Sequence, residues 1–176
     1  MILKAFKEKS NKKHLNKMLS KRNVYVGDSK IQSLGVILSA DEYVDFESFA
    51  ALANGLNIHQ NQLKIIAYSA KNNAEFSAWK LYCEPKDFGW SGTIKNVELK
   101  TFLDTGFDAL ISYYTHEDLQ LKLMTALSKA KFKIGIMQTD IRLNDLIIKT
   151  NVEAFEIFKD ELLKYLMILN KIKNEQ

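Results

Sequence analysis

Four short runs of apolar residues recur along the chain: SLGVILS (33–39), QLKIIAYS (62–69), DALISYY (108–114) and FKIGIM (132–137). A strand with one wet face alternates polar and apolar residues. A run that is apolar nearly throughout is covered on both faces. Strands of that kind belong to parallel sheets, whose connections cross over a face in a right-handed sense. The chain therefore reads as an α/β protein: a three-layer, Rossmann-like or flavodoxin-like sandwich with a mostly parallel sheet, in which these four runs are parallel neighbours.

The remaining segments fit that frame. AWKLYC (78–83) alternates, with Trp79, Leu81 and Cys83 on one side, so it reads as a strand near the sheet edge, ended by Pro85. LIIKT (146–150) is a further strand. Asp45 reads as the N-cap of a helix with Phe46, Phe49, Ala50 and Ala53 on one face, and Gly55 suits the residue after it, where positive φ is needed. Thr115, with Asp118 three residues on, reads as a capping box. The stripe of that helix is Leu119, Leu123, Ala126, Leu127 and Ala130. In 152–172, Phe155, Phe158, Leu162, Tyr165, Leu169 and Ile172 follow a heptad, which suits a helix lying on the sheet or a dimer seam.

With 176 residues, 47% apolar and 26% charged, the chain has the composition of one soluble globular domain. A single cysteine, Cys83, suits a reducing compartment. No apolar run approaches the roughly 20 residues of a membrane span, and MILKAF is too short for a signal peptide's apolar region. The expected setting is the cytoplasm. Basic residues comprise 23 lysines and only 2 arginines, so bidentate arginine clamps on phosphate are scarce.

Charge divides the chain in two. Residues 1–24 carry Lys4, Lys7, Lys9, Lys12, Lys13, Lys17, Lys21 and Arg22 against one acid, Glu8, a net +7. The whole chain is +4, which leaves −3 for the rest. The reading is a basic helical arm (1–24) on a single α/β domain (25–176). Ile2, Leu3 and Phe6 form one apolar patch of the arm, and Leu15, Met18 and Leu19 another, capped by Ser10 or Asn11. The patches do not line up, so two short helical pieces are expected. Lysines at this density attract a polyanion: RNA, a ribonucleoprotein or another acidic partner. The arm offers RNA only one aromatic, Phe6, and its split apolar patches are small for a membrane surface.

Chemical motifs are sparse. Asp87-Phe88-Gly89 in PKDFGWSG matches the magnesium-binding triplet of protein kinases, but the glycine-rich loop, paired lysine and catalytic loop are missing. The stretch reads as a turn with Phe88 and Trp90 folded onto the core; the other reading makes them an aromatic platform at a binding surface. No strand end carries a glycine-rich phosphate cradle, and Asp41 and Glu42 would repel a phosphate. Those ends do gather a polar rim: Ser39, Asp41, Ser69, Tyr114, His116, Gln138, Asp140 and Arg142. His116 is the candidate base there, with Asp140 to orient it; the simpler reading places it in the first turn of a capped helix. Residues 140–145 also read as a self-satisfied ion-pair loop. His14, His59, His116 and Cys83 share no metal-ligand spacing, so no metal or cofactor is expected.

The stretches EKSNKKHLNKMLSKRNVYV, PKDFGWSGTIKNVELKTFL, FDALISYY, LMTALSKAKFKIGI, RLNDLIIKT and KDELLKYLMILNKIK resemble an uncharacterised protein family of Bacteroidetes bacteria. The resemblance runs nearly end to end. It implies a bacterial cytoplasmic protein with the arm as an integral part, and it transfers no catalytic residue. Two functions stay open: a non-catalytic module that binds an acidic partner through its arm, and a small enzyme or ligand sensor working at the rim.

Overall fold

The computed structural model describes residues 1–25, 27–42, 45–71 and 81–173. In chain order the elements are α1 (Ile2–Lys21), β1 (Leu34–Ser39), α2 (Phe46–Gly55), β2 (Leu63–Tyr68), β3 (Tyr82–Cys83), α3 (Val97–Asp104), β4 (Ala109–Tyr113), α4 (Leu119–Leu127), β5 (Phe132–Ile136), β6 (Leu146–Ile148) and α5 (Phe155–Ile168). The strands form one sheet in the order β3-β2-β1-β4-β5-β6, and every neighbouring pair is parallel. The four apolar runs are its inner strands. This is the Rossmann strand order and not the flavodoxin one. The order reverses between β1 and β4, so the crevice that such sheets use for ligands opens at the carboxyl ends of those two strands.

Side-chain alternation builds two cores. Leu34, Val36 and Leu38 of β1, with Ala109, Ile111 and Tyr113 of β4, face α2 and α5 through Phe49, Leu52, Phe155 and Phe158. Ile37 and Leu110 point the other way, onto Leu15 and Leu19 of α1, Leu99 and Phe102 of α3, and Leu121 and Met124 of α4. Phe155, Phe158 and Leu162 of the heptad series are buried against the sheet, and Tyr165 and Ile172 partly so; Leu166 joins them from outside the series, and Leu169 is exposed.

Several local expectations change. The basic segment is one continuous helix, not two pieces, because its inward stripe is partly polar: Asn11, Leu15 and Leu19 are its buried residues. Gly55 stays within α2, and the positive φ (57°) falls on Asn57. Thr115 does not cap α4, because Glu42 takes its N–H and hydroxyl; Asp118 caps it instead, accepting from the N–H groups of Gln120 and Leu121. Helix α3 adds an element to the pattern of apolar runs: Asn96 caps it, and Leu99, Phe102 and Leu103 bury its inner face. Trp79 and the first part of the expected strand 78–83 lie outside the described residues.

Lys133 lies on β5, next to the edge strand β6, and is nearly buried. Its ammonium donates to the carbonyls of Thr125 (2.6 Å) and Ala126 (3.2 Å), capping the C-terminal end of α4. Desolvation, with the Arg22 cation nearby, lowers its pKa to about 8 against an ordinary 10.5. Between those values the folded chain has shed a proton that the unfolded chain keeps, so stability rises with pH through that interval. We expect wild type to gain up to about 3 kcal/mol on a Lys133→Met variant across it. Urea midpoints of both proteins measured through the interval test this; a pH-independent difference would mean that the ammonium is solvated.

Candidate functional site

Two places collect the residues that the sequence singled out: the switch-point crevice and the outer face of α1. In the crevice, the segment after β1 supplies Asp41 and Glu42, and the segment after β4 supplies Thr115 and His116. Both Glu42 oxygens accept the Thr115 N–H at 3.0 Å; one takes the Thr115 hydroxyl and the other the His116 N–H at 3.3 Å. Backbone N–H groups at such a strand end are the donors a phosphate would use. Here the chain's own carboxylate occupies them. What remains is a shallow cleft of about 230 Å³, bordered by Asp41, Glu42, His116, Asn151 and Glu153. That is smaller than usual ligand pockets, and its carboxylates oppose an anionic cofactor.

The rest of the rim is spent on structure. Asp41 accepts from the Ser69 hydroxyl and the Ala70 N–H, both at 2.7 Å. Ser39 is buried. Tyr114 lies in the core, its hydroxyl 2.7 Å from that of Thr125, and burial pushes its phenol pKa far above the ordinary value. Gln138 donates to the carbonyls of Ser112 (3.1 Å) and Tyr114 (2.9 Å), tying the loop after β5 to β4. Asp140 does not orient His116. It is held by Arg142, whose Nε and Nη2 donate to its two oxygens at 2.9 and 2.7 Å, and this pairing keeps its carboxyl below the usual range. His116 is 63% exposed, outside α4, with its Nε2 4.0 Å from Glu42. Cys83 is fully buried, and its thiol pKa is pushed well up by desolvation. Among the described residues no three His, Cys, Asp or Glu side chains form a metal-binding group.

The kinase-like triplet has a structural task. Asp87 accepts from the Glu84 N–H at 2.9 Å and closes a short turn. Phe88 is buried, whereas Trp90 is not folded onto the core but stands exposed. The turn is the seat of α1. The Asn11 amide donates to the Gly89 carbonyl (3.0 Å) and its oxygen accepts from the Gly92 N–H (2.9 Å), while the Ser10 and Ser91 hydroxyls meet at 2.9 Å. Gly92 has a φ of 75°, and a Cβ there would strike the His14 ring at 2.4 Å, so glycine is needed for both backbone and space.

At its C-terminal end α1 is tied by Arg22, whose guanidinium meets Asp145 at 2.6 Å; the two side chains are only 15% and 1% exposed. The eight cations of the basic segment thus separate by role. Arg22 is structural. Lys7 lies against the body, and desolvation together with the charge of Lys95 lowers its pKa. Lys12 pairs with Glu8 at 2.8 Å. Lys4, Lys9, Lys13, Lys17 and Lys21 are exposed, and among the described residues none forms an ion pair. Lys9, Lys13, Lys17 and Lys21 follow one another at four-residue spacing, a ridge with about 6 Å between successive charges along the axis.

Among the described residues, no helix is long and apolar enough to cross a membrane. No curated protein matches the sequence. The family of unknown function DUF6913 matches residues 7–169, from within α1 to just beyond α5, and the chain belongs to that family.

Proposed function

We propose that the protein is a non-catalytic binding module of the bacterial cytoplasm that docks RNA, bare or on a ribonucleoprotein surface, along the outer face of α1. The lysine ridge carries this reading. Like charges one turn apart weaken a helix. A helix that keeps four of them in a row while its other face is clamped to the body is suited to a partner that supplies the missing negative charge. Lysine ammonium groups meet phosphates as point charges, so binding is indifferent to sequence. The rim offers less to a small enzyme or sensor, because Ser39, Tyr114 and Gln138 are buried and Asp140 is engaged by Arg142.

Fluorescence anisotropy with a labelled single-stranded RNA at several salt concentrations tests the reading. Neutralising about four phosphates gives a log–log slope near −3, at about 0.7 per phosphate. Changing Lys9, Lys13, Lys17 and Lys21 together to Gln is expected to flatten that slope and leave the melting temperature nearly unchanged, since these side chains are exposed. Absence of binding by wild type at low salt would sink the proposal.

A further inference from the structure

The ridge of lysines does not end in solvent alone. At the N-terminal end of α1, Phe6 is 57% exposed and lies on the same outer face as the ridge, three, seven and eleven residues before Lys9, Lys13 and Lys17. Trp90 is 48% exposed on the turn that seats α1. Ser91, next to Trp90, meets Ser10 at 2.9 Å, and Phe6 precedes Ser10 by one helical turn. The fold therefore brings to one end of the ridge two aromatic side chains separated in sequence by the whole of β1, β2 and β3. The basic segment by itself has only Phe6; the second ring comes from the body. Lys7 and Lys95 add two cations at this end, close enough to depress the Lys7 pKa after the larger effect of desolvation.

We propose, resting on the RNA-binding reading above, that Phe6 and Trp90 are base-stacking platforms and that the ligand is single-stranded RNA with its backbone tracked by Lys9, Lys13, Lys17 and Lys21. A positive track ending in exposed aromatic faces is the chemistry that holds unpaired bases, since every base has a face to stack and a duplex hides it. An acidic protein would use the lysines and leave the rings idle. A lipid surface would use the rings and the exposed Ile2 and Leu3, but a helix lying in a membrane interface needs an apolar stripe along its length. From Lys9 to Lys21 the outward positions are Lys9, Lys12, Lys13, Asn16, Lys17, Ser20 and Lys21, all polar over about 18 Å.

The test uses the full chain and four probes: a labelled oligouridylate, duplex RNA of the same length, heparin, and phosphatidylserine vesicles. Phe6→Ala and Trp90→Ala are each expected to weaken oligouridylate binding by roughly 5- to 150-fold with the salt slope unchanged. Heparin affinity should stay as in wild type, and duplex RNA should bind more weakly than the single strand. Trp90→Phe, which keeps a ring, should restore most of the loss. Both side chains are exposed, so unchanged melting temperatures will show that the variants are folded. If the ridge variant loses RNA and heparin binding while both alanine variants bind oligouridylate like wild type, the stacking proposal falls and the polyanion reading stands. If neither RNA nor heparin binds at low salt, both fall. Alanine variants that lose vesicle binding and keep RNA binding would assign the aromatic end to a lipid surface and overturn the proposal.

Discussion

A Leu110→Asp variant is expected to show no cooperative unfolding transition, with the near-UV circular dichroism of a folded core lost already in buffer. Leu110 is fully buried in β4, between β1 and β5, and points into the core shared by α1, α3 and α4. Most residues of that core, Leu15, Phe102, Phe107 and Leu121 among them, carry no polar atom on their side chains to pair with a carboxylate, and the Tyr114 hydroxyl is engaged with Thr125. Taking an unpaired charge into such a place costs several kcal/mol even after the group neutralises itself by taking a proton. Truncating the side chain costs a further 2–5 kcal/mol or so in lost packing. A domain of this size has a total stability of about 5–15 kcal/mol, so the combined loss consumes most or all of it. A variant that melts like wild type would mean that β4 is not covered on this face.

That residue illustrates how far sequence reasoning reaches in this chain. Strands covered on both faces must be apolar at consecutive positions, so SLGVILS, QLKIIAYS, DALISYY and FKIGIM declare both their conformation and their place inside a parallel sheet. The strand order needs more than pattern, because both β2 and β4 are apolar runs and either could flank β1 on either side. Contacts made by polar residues leave even less trace. Asn11 reads as a helix cap or a solvated position until the turn at Gly89–Gly92, some eighty residues away, supplies partners for both ends of its amide. Counting only apolar residues therefore splits α1 in two. Thr115 satisfies the capping pattern with Asp118, yet β1 and β4 are adjacent only in space, and their adjacency delivers Glu42 to the Thr115 N–H. The rim was legible as a location, and its filling by Tyr114, Gln138 and Glu42 was not. Trp90 offered no local sign of facing outward, since a tryptophan between glycines suits a lid as well as a platform.

The second large effect is expected at Asp145. Its carboxylate is 1% exposed and accepts from Arg22 (2.6 Å), from the Tyr25 N–H (3.2 Å) and from the Lys133 N–H (2.7 Å). One side chain thus joins the end of α1, the segment leading to β1, and β5. Asp145→Ala removes one partner of a nearly buried ion pair and leaves two backbone donors without an acceptor, a loss of about 3–5 kcal/mol. Arg22→Met is the milder change. Asp145 keeps its two N–H donors, while α1 loses its C-terminal tie but keeps the Asn11 clamp and the packing of Leu15 and Leu19. The double variant should be no worse than Asp145→Ala alone, since Arg22 is 15% exposed and has lost its anion already. Urea unfolding of the four proteins gives the coupling as the departure from additivity, expected at about 1–3 kcal/mol. Strict additivity would mean that Arg22 and Asp145 do not feel each other in solution and that α1 is held by its seat on the Gly89–Gly92 turn and the packing of Leu15 and Leu19. The result also bears on the RNA binding proposed above: the Lys9–Lys21 ridge lies between the Asn11 clamp and the Arg22 tie, so if the proposal holds, Arg22→Met should weaken RNA binding beyond the loss of one charge, and with it the salt slope.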